Sequence, residues 1–363
     1  MGKENPLNSN TYENRGANLV RSHIAEIRGY VPGEQPTDPS VLKLNTNENP
    51  YPPSPAVAEA IARACQDLSL YPDPSASELR ACAADLYGVD PDGVLVGNGS
   101  DEILSIILRA TVGPDDSVAY PVPTYSYYDS LAALCGVGVQ RVPFGDDYEL
   151  PSGLAEVSAR LIIVCNPNAP SGTVVPIADI EALAQSRTDT VVLVDEAYVD
   201  FADDSALRLV GRLPNVIVSR TLSKSYSLAG LRVGFAFTSA ELAFELHKIR
   251  DSYNASRLLQ AGALAALRDQ ESLRRHVGRV RATRDRLTAA LRELDFQVSA
   301  SHTNFVLARR PGESLAPVYD ALRSRRILVR YFEQMPDAFR VTVGTDEQID
   351  RFLEALREIW LNR

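Results

Sequence analysis

The stretch TVVLVDEAYVDFADDSALRLVGRLPNVIVSRTLSK, residues 190–224, holds the pattern on which the fold turns. Thr190 to Val194 is a largely apolar run that stops at Asp195, and Val216 to Ser219 is a second that leads to Lys224. Both runs are short, β-branched and without polar alternation, as strands buried on both faces of a parallel sheet are. Upstream, the same unit recurs. Strands are predicted at Val94 to Val96, Ser117 to Tyr120, Val137 to Val142 and Leu161 to Cys165, with helices at Asp101 to Ala110, Tyr125 to Leu134 and Ile177 to Gln185. Two earlier helices are expected, from Val57 to Leu68 and from Ser77 to Tyr87, the second capped by Ser77. Ahead of them lies a polar arm with one amphipathic stretch, Leu19 to Ile27, broken at Gly29-Tyr30-Val31-Pro32-Gly33.

Downstream, a long Arg-rich helical pattern runs from Ala261 to Leu294, and its mixed charges suit a solvated helix joining two lobes. The remainder reads strand (Phe305 to Ala308), helix (Leu315 to Ser324), two strands (Ile327 to Arg330, Phe339 to Val343) and helix (Asp346 to Ile359). The expected class is α/β: an arm over residues 1–45, a large mostly parallel-sheet domain over 46–262 and a small α+β domain over 263–363.

A length of 363 residues fits about two domains at roughly 150 residues each. With 45% hydrophobic and 23% charged residues, the chain can bury a large core, which excludes disordered and fibrous classes. No run approaches the ~18–20 apolar residues of a membrane span. The balance of 37 Lys+Arg against 47 Asp+Glu gives a net charge of −10, which disfavours broad contact with nucleic acid or anionic membrane. It leaves room for a small anion in a local basic pocket. Cys65, Cys82, Cys135 and Cys165 form no C-x-x-C pair, as expected of reduced thiols in a cytoplasmic protein. The polar start, MGKENPLNSNTYENRG, predicts neither secretion nor import. His23, His247, His276 and His302 lack metal-ligand spacing, so no metal is expected.

Four segments follow the predicted strands, at the rim where open α/β sheets bind ligands. Gly97-Asn98-Gly99-Ser100-Asp101-Glu102 offers a close backbone approach and a helix start for a phosphate; it also reads as an ordinary turn capped by Ser100 or Asp101. Asp195 ends a buried strand, where a carboxylate needs a partner; a strand-end cap is the plainer alternative. Lys224 sits among small hydroxyl residues, where desolvation would make its amine nucleophilic, and Arg232 follows between glycines; both could instead be surface cations. Cys165-Asn166-Pro167-Asn168-Ala169-Pro170-Ser171-Gly172 is a rigid turn. A ligand meeting the first three at once needs a phosphate, a carbonyl and a basic ring nitrogen. Pyridoxal 5′-phosphate has all three.

The ordered motifs point the same way. Asn45-Thr46-Asn47-Glu48-Asn49-Pro50, Tyr71-Pro72, GNGSDE, Pro123-Thr124-Tyr125, NPNAPSG, DEAY, TLSKSYSLAGLRVG and Arg340-Val341-Thr342-Val343-Gly344-Thr345 together resemble the fold-type-I, class I/II aminotransferases. Gly29 to Gly33 and Leu328-Val329-Arg330 resemble the histidinol-phosphate branch in particular. The resemblance runs from about Arg21 to Leu356.

It implies that Lys224 is the Schiff-base lysine and proton carrier, that Asp195 pairs with the pyridinium nitrogen, and that Tyr198 reaches the cofactor's phenolic oxygen. Tyr125 would stack on the ring; Ser100, Asp101, Ser223 and Arg232 would hold the phosphate. Tyr71 would arrive from a neighbouring subunit, which makes the expected active unit a homodimer with shared sites. Arg330 and Arg340 would grip the substrate's anionic end, with Tyr30 from the partner's arm, and Asn47 and Asn304 would line the pocket. The family carries an asparagine where Ala169 stands, so Asn168 is the candidate for its bond to the phenolic oxygen. The implied reaction is transamination between L-histidinol phosphate with 2-oxoglutarate and imidazole-acetol phosphate with L-glutamate, a step of histidine biosynthesis. The alternatives are an aromatic or specialised-metabolite aminotransferase of the same branch, a pyridoxal-phosphate-dependent phospho-amino-acid decarboxylase, or an aminotransferase-like transcriptional sensor. The sensor would need a DNA-binding module for which the short arm leaves little room.

Overall fold

The structure is a computed structural model that describes residues 19–27 and 29–361. Twelve strands follow in chain order: β1 (Leu42–Leu44), β2 (Val94–Asn98), β3 (Ser117–Val122), β4 (Gly138–Pro143), β5 (Leu161–Cys165), β6 (Val191–Asp195), β7 (Val216–Thr221), β8 (Val233–Phe237), β9 (Gln297–Val298), β10 (Phe305–Arg309), β11 (Ile327–Tyr331) and β12 (Ala338–Thr342). Seven form one sheet in the order β2-β8-β7-β6-β5-β3-β4. All neighbours in it run parallel except at β8, which is antiparallel to both β2 and β7. Every residue of β5 and β7 is buried. Ile163, Leu193 and Ile217 pack into one core on one face, while Ile162, Val192 and Val218 pack into a second core on the other. That two-sided burial is why these strands read as unbroken apolar runs.

The second sheet, β1-β11-β12-β10-β9, belongs to the C-terminal lobe. The end of the arm enters it: β1 pairs in parallel with β11. The arm's described part otherwise holds a single short helix, Ser22–Glu26; residues 1–18 lie outside the described residues.

Three local expectations change. The helical pattern from Ala261 to Leu294 is two helices, Arg257–Arg268 and Gln270–Glu293, parted at Asp269. The Asp269 carboxylate accepts from Ser272 N at 3.0 Å and from Ser54 Oγ at 2.5 Å, so it caps the second helix while fastening it to the first lobe. The division at 262/263 falls inside the first of these helices, which packs on the helix Pro55–Ala64. Ser77 is not the cap of its helix; Ala76 precedes it in the left-handed region at φ 47°, and Asp73 accepts from Ser77 N at 2.7 Å. The strand β8 stood unrecognised because Gly230 and Gly234 bracket its start like a loop. Among the described residues, no helix is long and apolar enough to cross a membrane.

Candidate active site

The parallel strands β3, β5, β6 and β7 all end on one edge of the large sheet, and β2, antiparallel to β8, ends there too. Because β8 runs the other way, its start lies on that same edge and carries Arg232 with it. The four rim segments therefore meet, with Arg232 at the rim and its side chain still 43% exposed.

At the centre is Asp195, 3% exposed. Its Oδ2 accepts from the Tyr128 hydroxyl at 2.7 Å and its Oδ1 from Ser219 Oγ at 3.1 Å. Burial pushes its pKa up, and the two hydroxyl donors pull against that. Among the described ion pairs none involves Asp195, so it is no ordinary strand-end salt bridge.

Lys224 lies in the loop after β7. Burial, aided by the Arg340 cation, holds its amine down at about 8, with Glu48 opposing. Nζ sits 5.7 Å from the centroid of the Tyr198 ring and donates to Thr46 O at 3.4 Å. Asn49 Nδ2 donates to the carbonyls of Lys224 and Ser225 at 3.0 and 2.9 Å, which fixes the loop's backbone. An amine so placed is a usable nucleophile and proton carrier near neutral pH.

Tyr198 is buried, and its phenol, pushed up to about 12 by burial, accepts from Asn47 Nδ2 at 2.9 Å. Asn47, itself buried, is thereby a support of Tyr198. It holds a left-handed φ of 58°, and Asn304 Nδ2 donates to its carbonyl at 3.0 Å. Tyr125 packs edge-on against Tyr128, and its hydroxyl lies 3.5 Å from Asp101 Oδ1.

A phosphate-sized cradle forms where β2 turns into the helix Ser100–Thr111. Gly99 occupies the cap position at φ 86°, with no side chain capping the helix, so neither Ser100 nor Asp101 acts as the cap. A Cβ on Gly99 would stand 2.5 Å from Arg232 Nη2, and one on Gly234 would stand 2.5 Å from Ser100 N. Free helix N–H groups and the Arg232 guanidinium thus face one small space. Asp101 Oδ2 accepts from Arg232 Nη2 at 2.8 Å and orients it. Ser223, buried, joins from the Lys224 loop, its Oγ taking a bond from Thr221 Oγ1 at 2.9 Å.

Across the cleft, Arg330 on β11 and Arg340 on β12 are direct cross-strand partners. Like charges placed opposite one another are destabilising, and no carboxylate among the described residues pairs with either. Arg340 lies over the Phe305 ring at 4.8 Å, both guanidiniums lie 5.8 Å from the Phe332 ring, and Arg340 Nε is buried without a partner. Two neighbouring guanidiniums without a carboxylate partner among the described residues, the Arg340 charge disfavoured by burial, make a candidate anion site.

One expectation is corrected. Asn168 has both amide hydrogens engaged, donating to Pro123 O at 3.1 Å and Ser171 Oγ at 2.9 Å, while its Oδ1 accepts from Thr124 at 2.8 Å. It holds the turn together and has no donor left for a cofactor oxygen. Within the one chain, the Tyr30 ring lies edge-on to Tyr127 at 5.4 Å and to Tyr125 at 6.3 Å. Tyr71 stands apart, 78% exposed and stacked on Tyr253 at 4.4 Å. Tyr128, Ser219 and Asn49 escaped the sequence reading. Tyr128 could have been found from its place one helical turn after Tyr125.

The residues fit pyridoxal 5′-phosphate: a glycine cradle with an arginine for its phosphate, an amine of depressed pKa for its aldehyde, and a buried carboxylate without a cation for its ring nitrogen. The comparisons agree. Residues 39–356 match the family model "Aminotransferase class I and II". The histidinol-phosphate aminotransferase of Syntrophotalea carbinolica is 48% identical over 94% of this chain and 99% of its own, and that of Microcystis aeruginosa is 44% identical over 94% and 98%. The solved histidinol-phosphate aminotransferase of Sinorhizobium meliloti, in complex with pyridoxal 5′-phosphate, superposes with a TM-score of 0.82 at 29% identity, covering 88% of this chain and 90% of that one. The chain belongs to the class I and II aminotransferases.

Proposed function

We propose that this chain is a pyridoxal-phosphate-dependent transaminase of histidine biosynthesis, interconverting L-histidinol phosphate and 2-oxoglutarate with imidazole-acetol phosphate and L-glutamate. The observation that carries the substrate class is the unpaired couple Arg330 and Arg340 facing the site of Lys224. One substrate brings a phosphate and the other a second carboxylate, and a planar guanidinium binds either in bidentate fashion.

When bound, the cofactor supplies a carbonyl for the incoming amine and a ring that spreads the charge left as the α-proton departs. The helix start at Ser100, with Asp101, Ser223 and Arg232, holds its phosphate. Asp195 would hold the proton on its ring nitrogen, Tyr198 with Asn47 behind it would donate to its phenolic oxygen, and Tyr125 would pack on its ring. Lys224 Nζ takes the proton from the substrate's α-carbon and returns it on the other side of the exchange. Arg330, Arg340 and Tyr30 close on the substrate's anionic end and shield it from water.

The test is a half-reaction. Adding L-histidinol phosphate alone to the cofactor-loaded protein is expected to bleach its visible band, while phenylalanine at equal concentration leaves it intact. Faster bleaching by phenylalanine would move the assignment to an aromatic aminotransferase, and release of carbon dioxide to a decarboxylase.

We further propose a homodimer with shared sites. Leu68, Leu70, Tyr71 and Tyr253 form an exposed apolar patch, 58%, 63%, 78% and 46% accessible, of the kind that a second subunit covers. Mixing inactive Lys224→Ala and Tyr71→Ala chains should restore roughly a quarter of the activity, because mixed dimers hold one intact site. No recovery after verified subunit exchange would place Tyr71 outside the site.

A further inference from the structure

Asp195 stands in an environment built almost wholly of neutral donors. Cys165 is its register partner on β5 and Ser219 its register partner on β7. Tyr128, on the helix Tyr127–Cys135, reaches it from the layer above. The charged group that acts most strongly on Asp195 is Asp101, itself an anion, and no ion pair among the described residues involves Asp195. A carboxylate so enclosed faces a choice. It can take up a proton and become neutral, or it can stay ionised and hold a cation beside it. Only the second state serves a protonated ring nitrogen.

We propose that Tyr128, with Ser219, is a positioning pair that keeps Asp195 an ionised acceptor for the cofactor's ring nitrogen. This rests on the assignment of Asp195 to that nitrogen. With the backbone N–H of Ala197 also favouring the anion, each hydroxyl donates to a different carboxylate oxygen, at 2.7 and 3.1 Å. Neither donor carries charge. An arginine or lysine in their place would neutralise the carboxylate and compete with the ring for it; a hydroxyl stabilises the anion while leaving its charge for the ring. Burial together with Asp195 itself raises the Tyr128 phenol well above its ordinary value, so it remains a donor at any working pH. The Tyr128 ring also packs edge-on against Tyr125 and tilted against Tyr120, both at 5.5 Å, which fixes where its hydroxyl points.

Tyr128→Phe keeps those ring contacts and removes only the hydroxyl, and Ser219→Ala removes the other donor by a smaller change. In the holoenzyme, Tyr128→Phe is expected to lower kcat about tenfold with KM changed less than twofold, and to raise the cofactor's dissociation constant about tenfold. It should also shift the pH midpoint of the visible band. Ser219→Ala should act in the same direction with smaller size, and it carries the test if Tyr128→Phe does not fold. In an Asp195→Asn background, Tyr128→Phe should add less than twofold to any of these readouts. A Tyr128→Phe effect of equal size with and without Asp195 would mean the tyrosine acts through packing and would overturn the proposal. So would wild-type cofactor binding and an unmoved band in both single variants while Asp195→Asn loses them. Wild-type behaviour of Asp195→Asn itself would instead overturn the assignment of Asp195 on which the proposal rests.

Discussion

Lys224→Met is expected to abolish transamination, with kcat reduced at least ~10³–10⁴-fold, and at the same time to stabilise the cofactor-free protein at neutral pH. The two effects have one cause. The amine lies in a site from which water is largely excluded, beside the Arg340 cation, and releases its proton at about 8, where an ordinary lysine does so at 10.5. Below pH 8 the amine is charged in both folded and unfolded chains, and the folded chain bears the full cost of that buried charge. Between about 8 and 10.5 the unfolded chain binds the extra proton, so the wild-type protein gains stability as pH rises, and above that range the penalty is gone. Methionine fills the same space without charge. The gain from Lys224→Met should be on the order of 2 kcal/mol at pH 7 and should shrink towards zero by pH 10. Chemical denaturation of the two cofactor-free proteins at both pH values measures it. A variant less stable at pH 7, or a difference that does not change with pH, would mean that the amine is not desolvated and that its reactivity has another source.

The parallel strands of the large sheet were legible, though β8 was not, because burial on both faces leaves a mark in sequence: β5, β6 and β7 are apolar runs, and the polar residues that end them, such as Asp195, stand out against that background. The partners of those polar residues left no such mark. Asp195 meets Tyr128 across 67 positions of sequence, and Asn47 meets Tyr198 across 151. Such pairs are made by the layering of helices on the sheet, to which periodicity is blind. Asn168 shows the opposite failure. Its residue type and position suited a cofactor contact, but a side-chain amide has only two hydrogens, and the turn it sits in claims both. The break at Asp269 was missed because helical periodicity continues through it; the interruption comes from a cap bonded to Ser54 in the other lobe. Lys224, Arg232 and Arg340 were given their roles through resemblance to a family, since a lone cation in sequence reads equally well as a surface residue.

The couple Arg330 and Arg340 leads to a second large effect, whose sign differs between binding and stability. Arg340→Gln removes the deeper guanidinium, the one whose Nε is buried without a partner and whose charge burial already disfavours. Truncating one member of a buried, hydrogen-bonded charge pair costs about 2–5 kcal/mol, so kcat/KM should fall roughly 30- to 4,000-fold for glutamate and for histidinol phosphate alike. The cofactor-free protein should be as stable as wild type or slightly more so, because the repulsion across β11 and β12 is relieved. Losing Arg340 also removes a cation that depresses the Lys224 amine, so the pH dependence of cofactor-free Lys224 labelling should move upwards from about 8. Arg330→Gln should separate the substrates. If Arg330 serves chiefly the phosphate, histidinol phosphate should lose about tenfold more kcat/KM than glutamate does. Steady-state kinetics with each substrate, alongside denaturation of both variants, decides it. Equal losses for the two substrates with Arg330→Gln, or a clear loss of stability with Arg340→Gln, would show that the pair is braced by the fold and is not waiting for an anion.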